Sequence, residues 1–158
     1  MSDPLSIIVR GLPIAQGNSR AFVAQSKGGK FRAIVTTEAN RTNSPLGAWR
    51  SAIATEARDE MGNRPLFEGA LRVTVTFCFP RPKSHFLPAT KSRPTPILRD
   101  DAPVFHTSRP DVDKLTRALF DALTNVVWHD DAQVADVRAR KVYGLYPGAT
   151  ITVETPLP

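Results

Sequence analysis

The chain has 158 residues, 41% of them hydrophobic, with 14 prolines and a formal net charge of +6; its pI is near 10.0. That length fits one domain with a core of its own, and the charge favours a polyanion, nucleic acid first, over an acidic protein or a neutral surface. The lone cysteine, Cys78, excludes an intrachain disulfide and a cysteine-based zinc cage; no apolar window of about 18 residues offers a membrane span, and "MSDPLSIIVRGLP" is not a secretory signal, so a cytoplasmic protein without membrane contact is expected.

In chain order, "LSIIVRG" (5–11) reads as a short strand ended by Gly-Leu-Pro. "AFVAQ" and "FRAIVTT" flank the Gly-Gly of "SKGGK" (26–30), which is the pattern of a hairpin with a basic tip; Lys27 and Lys30 there are solvated turn residues or phosphate contacts. From Ser44 the period changes to that of a helix, with Ser44 as N-cap, Pro45 at the first helical position and Gly62 as the stop. Trp49, Ile53 and Ala57 recur every fourth residue beside Leu46 and Ala54, so Trp49 reads as core rather than as a stacking platform for bases. "ALRVTVTFCFP" (70–80) alternates as a half-buried strand, with Leu71, Val73, Val75, Phe77 and Phe79 on one face and Cys78, a packed thiol, on the other.

Residues 81–110 are rich in Pro, Lys and Arg and carry neither helical nor strand periodicity. Such a stretch inside a domain is functional or disordered, and a basic one is suited to lie along a phosphate backbone, with Arg81, Lys83 and His106 as candidate DNA contacts. Phe86 and Phe105 in this loop either fold over the core or wedge at the open centre of branched DNA. An amphipathic helix follows (111–125), its stripe of Leu115, Leu119 and Leu123 widened by Val112, Ala118 and Ala122; strands at 133–144 and 149–154 close the chain. The order β, β, β, α, β, loop, α, β, β predicts a single α+β domain over residues 1–158, a mixed or antiparallel sheet covered by two main helices.

Two acidic pairs stand out in this basic chain. Arg109 precedes Pro110 and is biased to extended backbone, so the helix begins after the proline with Asp111 near its N-cap and Asp113 in its first turn. Capping explains that pair by itself, and a turn explains Asp130 and Asp131. If the two pairs meet, their mutual repulsion calls for a divalent cation: Mg²⁺, with Mn²⁺ as an alternative, takes carboxylates and shares its shell with phosphate oxygens. In a basic protein that combination points to a phosphodiesterase. Arg117, one turn beyond Asp113, braces that carboxylate, contacts phosphate or makes a plain surface pair, while Asp121 continues the charged face. In the strand "VADVRARKVYG", Asp136, Arg138 and Arg140 share one face and Val137, Ala139, Lys141 and Tyr143 the other; Lys141 on the apolar side is a snorkelling residue or a phosphate-holding one. His106 and His129 beside the aspartates are neutral loop histidines or phosphate contacts, and their spacing makes no zinc site.

The segment "HTSRPDVDKLTRALFDALTNVVWHDDAQVADVRARKVYG" resembles the signature of the RusA-type Holliday-junction resolvases, the crossover junction endodeoxyribonucleases, with "RPDVDKL", "DAL", "VWHDDAQV" and the later lysine in register. "GLPIAQGNSR" and "ATITVE" are compatible with the family's ends. The resemblance implies a small, phage- or prophage-encoded α+β homodimer that binds four-way DNA junctions and nicks symmetric strands with Mg²⁺ or Mn²⁺. It also implies Asp111, Asp113 and Asp131 as metal ligands, Asp130 as a supporting carboxylate, and catalytic roles for Arg117 and Lys141. Arg109, Lys114, Arg138 and Arg140, with the basic residues of the two loops, are the expected DNA contacts. Two positions depart from the family pattern: Lys114 stands where Asn is usual, and Arg117 where Lys is common. Arg keeps the charge and grips phosphate bidentately but cannot donate a proton as Lys can.

The leading expectation is therefore a Mg²⁺-dependent, structure-selective endodeoxyribonuclease for Holliday junctions. Its rivals are a non-catalytic branched-DNA-binding module, in which the acids are caps and turns, and a related metal nuclease acting on flaps or duplex DNA.

Overall fold

The computed structural model describes residues 3–17 and 44–156, together with the backbone of two strands, 20–25 and 31–36. In chain order the elements are β1 (Leu5–Arg10), β2 (Arg20–Gln25), β3 (Phe31–Thr36), α1 (Pro45–Met61), β4 (Leu71–Pro80), β5 (Phe86–Leu87), β6 (Ile97–Leu98), α2 (Val112–Leu123), β7 (Val134–Gly144) and β8 (Gly148–Glu154). The expected hairpin is the antiparallel pair β2–β3; Lys27 and Lys30 at its tip lie outside the described residues.

The strict alternation of β4 dictates its place. Leu71, Val73, Val75, Phe77 and Phe79 are buried on one side, so that face of β4 meets the core and the other does not. The sheet runs β1-β8-β4-β7. β8 is antiparallel to both β1 and β4, and β7 is parallel to β4, so the sheet is mixed and the fold is α+β. Gly148 sits where β8 crosses close to β1: a Cβ there would collide with the Val9 carbonyl oxygen.

Both helices lie on the apolar side, α1 against β1 and α2, and α2 against β7. α1 begins and ends where its caps dictate: Ser44 Oγ accepts from Gly47 N at 3.0 Å, Pro45 opens the first turn, and Gly62 closes it at φ 53° with its N–H on the Arg58 carbonyl. Trp49 is core, as expected, and Trp128 is fully buried edge-on to Phe120 at 5.7 Å. In α2, Leu115, Ala118, Leu119, Ala122 and Leu123 are buried, whereas Val112 is 36% exposed and lies off the stripe. The other side of the sheet is polar, with Arg72 bridging Asp136 (2.6 Å) and Glu154 (3.3 Å) across three strands. Cys78 on that side is half-buried rather than enclosed; burial still pushes its thiol pKa up. Among the described residues no helix is long and apolar enough to cross a membrane.

The stretch 81–110 is not structureless. A 3₁₀ turn at Lys83–His85 leads into the two-residue strands β5 and β6, which pair antiparallel. Residues 104–106 then run along the outer edge of β7, with Tyr143 N donating to Val104 O (2.9 Å) and His106 N to Lys141 O (3.1 Å). Periodicity cannot reveal pairings this short, because two alternating residues are no pattern.

α2 is the crossover helix between parallel β4 and β7, so it runs against both strands. Its N-terminus lies at the far end of β7 and its C-terminus at the start of β7. That geometry decides where the acidic residues lie.

Candidate nucleic-acid and metal site

The N-terminus of α2 carries the first acidic pair. Asp111 is the extended N-cap (φ −73°, ψ 141°), yet its side chain caps nothing; it forms an ion pair with Lys114, Nζ to Oδ2 at 3.1 Å. The hydrogen bond and charge of Lys114 hold the Asp111 carboxyl below its ordinary range, with smaller help from Arg109 and Lys141. Asp113 is exposed in the first turn, where the helix dipole favours an anion. Among the described residues no ion pair joins Arg117 to Asp113; Arg117 is exposed on the same helix.

Lys141 explains how this terminus is held. The register places it opposite buried Phe77, on the helix side of the sheet, and its ammonium donates to the carbonyls of Ser108 (2.6 Å) and Pro110 (2.7 Å). A lysine on an apolar face is thereby satisfied by the very segment that delivers Asp111, across the cis Arg109–Pro110 bond. His106 stacks on Phe79 (ring centroids 4.2 Å apart) and lies tilted against Tyr143 (4.9 Å); burial first, then Lys141, lowers its pKa. Arg81 lies over the other part of this aromatic group, 5.7 Å from the Tyr143 ring centre, with Nη1 on the Pro103 carbonyl at 2.7 Å. Both expected DNA contacts are therefore engaged in packing, while Lys83 and Arg109 are exposed.

Beside Asp111 lies a groove of about 690 Å³. The segment from Leu12 to Gly17 walls it, and Phe79, Pro80, His106, Arg109, Pro110, Asp111 and Lys114 complete the lining. Gln16 N donates to Lys114 O at 3.1 Å and ties this wall to α2. Sequence reasoning missed this wall: "GLPIAQG" shows no ionisable group, and its Gly-Pro punctuation signals only that the chain leaves β1.

The second acidic pair lies elsewhere. Asp130 N-caps the 3₁₀ turn Asp131–Gln133: its Oδ1 accepts from Ala132 N (2.8 Å), and Gln133 Oε1 accepts in return from Asp130 N (3.1 Å). Gln133 Nε2 also donates to the Phe67 carbonyl at 3.0 Å, anchoring the turn beside the C-terminal end of α2. Asp131 is exposed at the start of β7. From Val134 to Lys141, beside which Asp111 lies, is about 23 Å of extended chain, and α2 between the pairs is about 18 Å long. Among the described residues no three His, Cys, Asp or Glu side chains gather closely enough to hold an ion. The expected convergence of Asp111, Asp113 and Asp131 is not built within a single chain, because a crossover helix separates its own two ends.

Arg138 and Arg140 lie on the polar side of the sheet, away from the groove. Arg140 Nε donates to Thr76 Oγ1 at 3.0 Å, and Arg138 is 4.0 Å from Asp136. His129 is exposed, its backbone N–H on Gln133 Oε1. Phe105 is 57% exposed and bridges Val142, while Phe86 is half-buried.

Comparison with known proteins places these features in context. The chain is 24% identical over 151 residues to the uncharacterized protein YqaN of Bacillus subtilis (strain 168), with 96% of each chain covered. The family model described as Endodeoxyribonuclease RusA matches residues 13–154, a span that takes in the wall of the groove after Leu12, both acidic pairs and all of β8. The chain belongs to the RusA endodeoxyribonuclease family.

Proposed function

We propose that the protein is a divalent-metal-dependent endodeoxyribonuclease that resolves four-way DNA junctions by paired, symmetric nicks, acting as a homodimer. The observation that carries this reading is the pair of carboxylates, Asp111 and Asp113, at the N-terminus of α2 beside a groove edged by Arg109 and Lys114, inside a span matched by a nuclease family. The net charge of +6 supports DNA as the partner, and backbone contacts of this kind select shape rather than sequence.

The donor set suits Mg²⁺ or Mn²⁺, being carboxylate oxygens with open space for water and phosphate. One chain offers only Asp111 and Asp113 at this point. The separation of Asp131 by more than the length of α2 supports a site completed by Asp131 of the partner subunit, with Asp130 holding the turn in shape. A metal there would activate water and stabilise charge on the phosphorane. The chain's own groups have distinct tasks. Lys141 fixes the Ser108–Pro110 carbonyls and so the position of Asp111; Arg109 and Lys114 bind the backbone; Arg117, exposed one turn on, grips a flanking phosphate.

The ion pair between Lys114 and Asp111 favours a second reading, a junction-binding protein without cleavage, since the ammonium already neutralises one ligand. A mixing experiment tests the first. Asp113→Asn and Asp131→Asn proteins are each expected to bind a synthetic four-way junction without cutting it. Refolded together in equal amounts they regain nicking at about a quarter of wild-type sites, because half the dimers are mixed and one site in each is intact. Wild-type protein that binds junctions without nicking them in Mg²⁺ or Mn²⁺ supports the second reading, and equal cutting of linear duplex overturns junction selectivity.

A further inference from the structure

We infer that two copies of the chain join along the outer edge of β7, antiparallel about a two-fold axis at Val137, and that this pairing carries Asp131 of each copy toward Asp111 of the other. The inference rests on the proposed function and names the surface that its shared site requires.

β7 lies at one end of the sheet, so one of its sides meets no other strand of that sheet. Lys141 and Tyr143 use this outer side already: the Lys141 carbonyl accepts from His106 N, and Tyr143 N donates to Val104 O. Backbone groups alternate along a strand, so Val137 and Ala139 turn theirs to the same side, and among the described residues nothing bonds them there. An open edge is a template for another strand, which proteins commonly blunt with lysine, proline or a covering segment. Here the cover ends at Lys141, and the stretch from Asp136 to Arg140 has neither lysine nor proline. Along the same edge Val104 (60% exposed), Phe105 (57%) and Val137 (43%) leave apolar surface open to solvent.

Charge selects a second copy as the occupant and fixes the register. A two-fold contact sets the same stretch against itself, and the outward backbone groups of one copy must meet those of the other. An axis at Asp136 would oppose Asp136 to itself, and an axis at Arg138 would oppose Arg138 to itself. An axis at Val137 instead puts Asp136 opposite Arg138 of the partner subunit, and does so twice. Opposite charges facing across an antiparallel pair attract, and like charges there repel. Arg138 is free for this role: its side chain is 68% exposed and only 4.0 Å from Asp136 of its own strand.

The same register answers the separation of the acidic pairs. Past Ala135, where the register of β7 with β4 shifts, the partner's chain leads back to its Asp131 at the level of Lys141 and Tyr143. Lys141 is the residue that holds Ser108 and Pro110, and with them Asp111. Within one chain α2 keeps Asp111 and Asp131 at opposite ends of β7; an antiparallel second copy reverses the strand and brings the ends together.

The test uses full-length protein carrying Cys78→Ala, to which Val137→Cys or, on the opposite edge strand β1, Ile8→Cys is added. A short bismaleimide links thiols that meet, and denaturing gels read the product. The expected result is a covalent dimer with Val137→Cys at concentrations where Ile8→Cys gives none. Sedimentation should show the dimer dissociation constant of Arg138→Glu raised about tenfold or more, and that of Arg140→Glu, the same charge change one inter-strand pair away, within about twofold of wild type. A wild-type dimer that fails to link through Val137→Cys, or that Arg138→Glu leaves intact, overturns the inference and leaves the proposed function standing. Equal linking through Ile8→Cys overturns the inference as well. A dimer that links through Val137→Cys, while wild type binds junctions without nicking them in Mg²⁺, supports the interface and overturns the proposed cleavage. A monomer at concentrations that cut junctions overturns both the interface and the shared site.

Discussion

Lys114 reaches back along the first turn of α2 to Asp111, Nζ to Oδ2 at 3.1 Å, so one of the two residues that depart from the family pattern is bonded to one of the residues expected to hold metal. A cation delivered by the chain and a cation taken from solution compete for one carboxylate. Lys114→Asn should release it. The concentration of Mg²⁺ needed for half-maximal junction cleavage is expected to fall by about three- to tenfold, in keeping with the loss of one competing charge-assisted hydrogen bond. The Asp111 carboxyl should move up toward its ordinary 3.8, followed by carbon-13 chemical shift titration. The sign is fixed: a depressed native pKa contributes stability above the unfolded-state pKa that is lost as pH falls through the native value, so the variant loses it at higher pH. An unchanged Mg²⁺ requirement would show that the ion pair does not guard the site.

Lys141 offers a second test, of position rather than chemistry. Its two hydrogen bonds, to the Ser108 and Pro110 carbonyls, join β7 to the segment leading into Asp111. Lys141→Met keeps the aliphatic stem and removes both bonds, at a cost of about 1–2 kcal/mol. If the lysine works by placing Asp111, the variant loses kcat with little change in junction affinity, and Lys141→Arg restores part of it. A loss confined to affinity would make it a phosphate contact instead.

How far the sequence foretold all this depends on the range of the pattern involved. The alternation of β4 and the stripe of Leu115, Leu119 and Leu123 were legible because each repeats over several residues and is enforced by burial. Ser44, Pro45 and Gly62 bounded α1 because caps act locally. The β5–β6 pair and the edge pairing of Phe105 with Val142 were not legible, since they depend on where distant segments meet. The candidate site divides in the same way. Asp111 and Asp113 could be placed at a helix start from Pro110 alone, but whether Asp131 joins them is a matter of handedness and crossover. The antiparallel run of α2 against β7 sends it to the other end. Lys141 stands out in the sequence as a charge on an apolar face, and its carbonyl partners emerge only from the fold.

His106 gives the stability curve a predictable slope. Burial against Phe79, and then Lys141, lower its pKa below the ordinary 6.5. The unfolded chain therefore binds a proton that the folded chain resists, and stability falls as pH drops from above 6.5 toward the depressed native value. Urea unfolding between pH 8 and 5 should show that decline in wild type and a shallower one in His106→Phe, which preserves stacking without a titratable ring. Equal slopes in the two proteins would remove His106 from the explanation.

Asp113 and Asp121 lie two turns apart on one helix, and the structure gives them different company. Asp121 sits 3.7 Å from Arg50 of α1, a partly exposed pair that contributes a few tenths of a kcal/mol to helix packing. Asp113 has no ion pair among the described residues and faces solvent at the positive end of α2. If exposure at that terminus serves metal, Asp113→Asn should cut junction cleavage by about a thousandfold or more while lowering the melting temperature by only about 1–3 °C, the loss expected where the helix dipole favours an anion. Asp121→Asn should lower the melting temperature by a degree or so and leave cleavage within about twofold of wild type. Equal losses of cleavage in the two variants would mean that charge along this face, rather than a metal site at its start, is what the DNA requires.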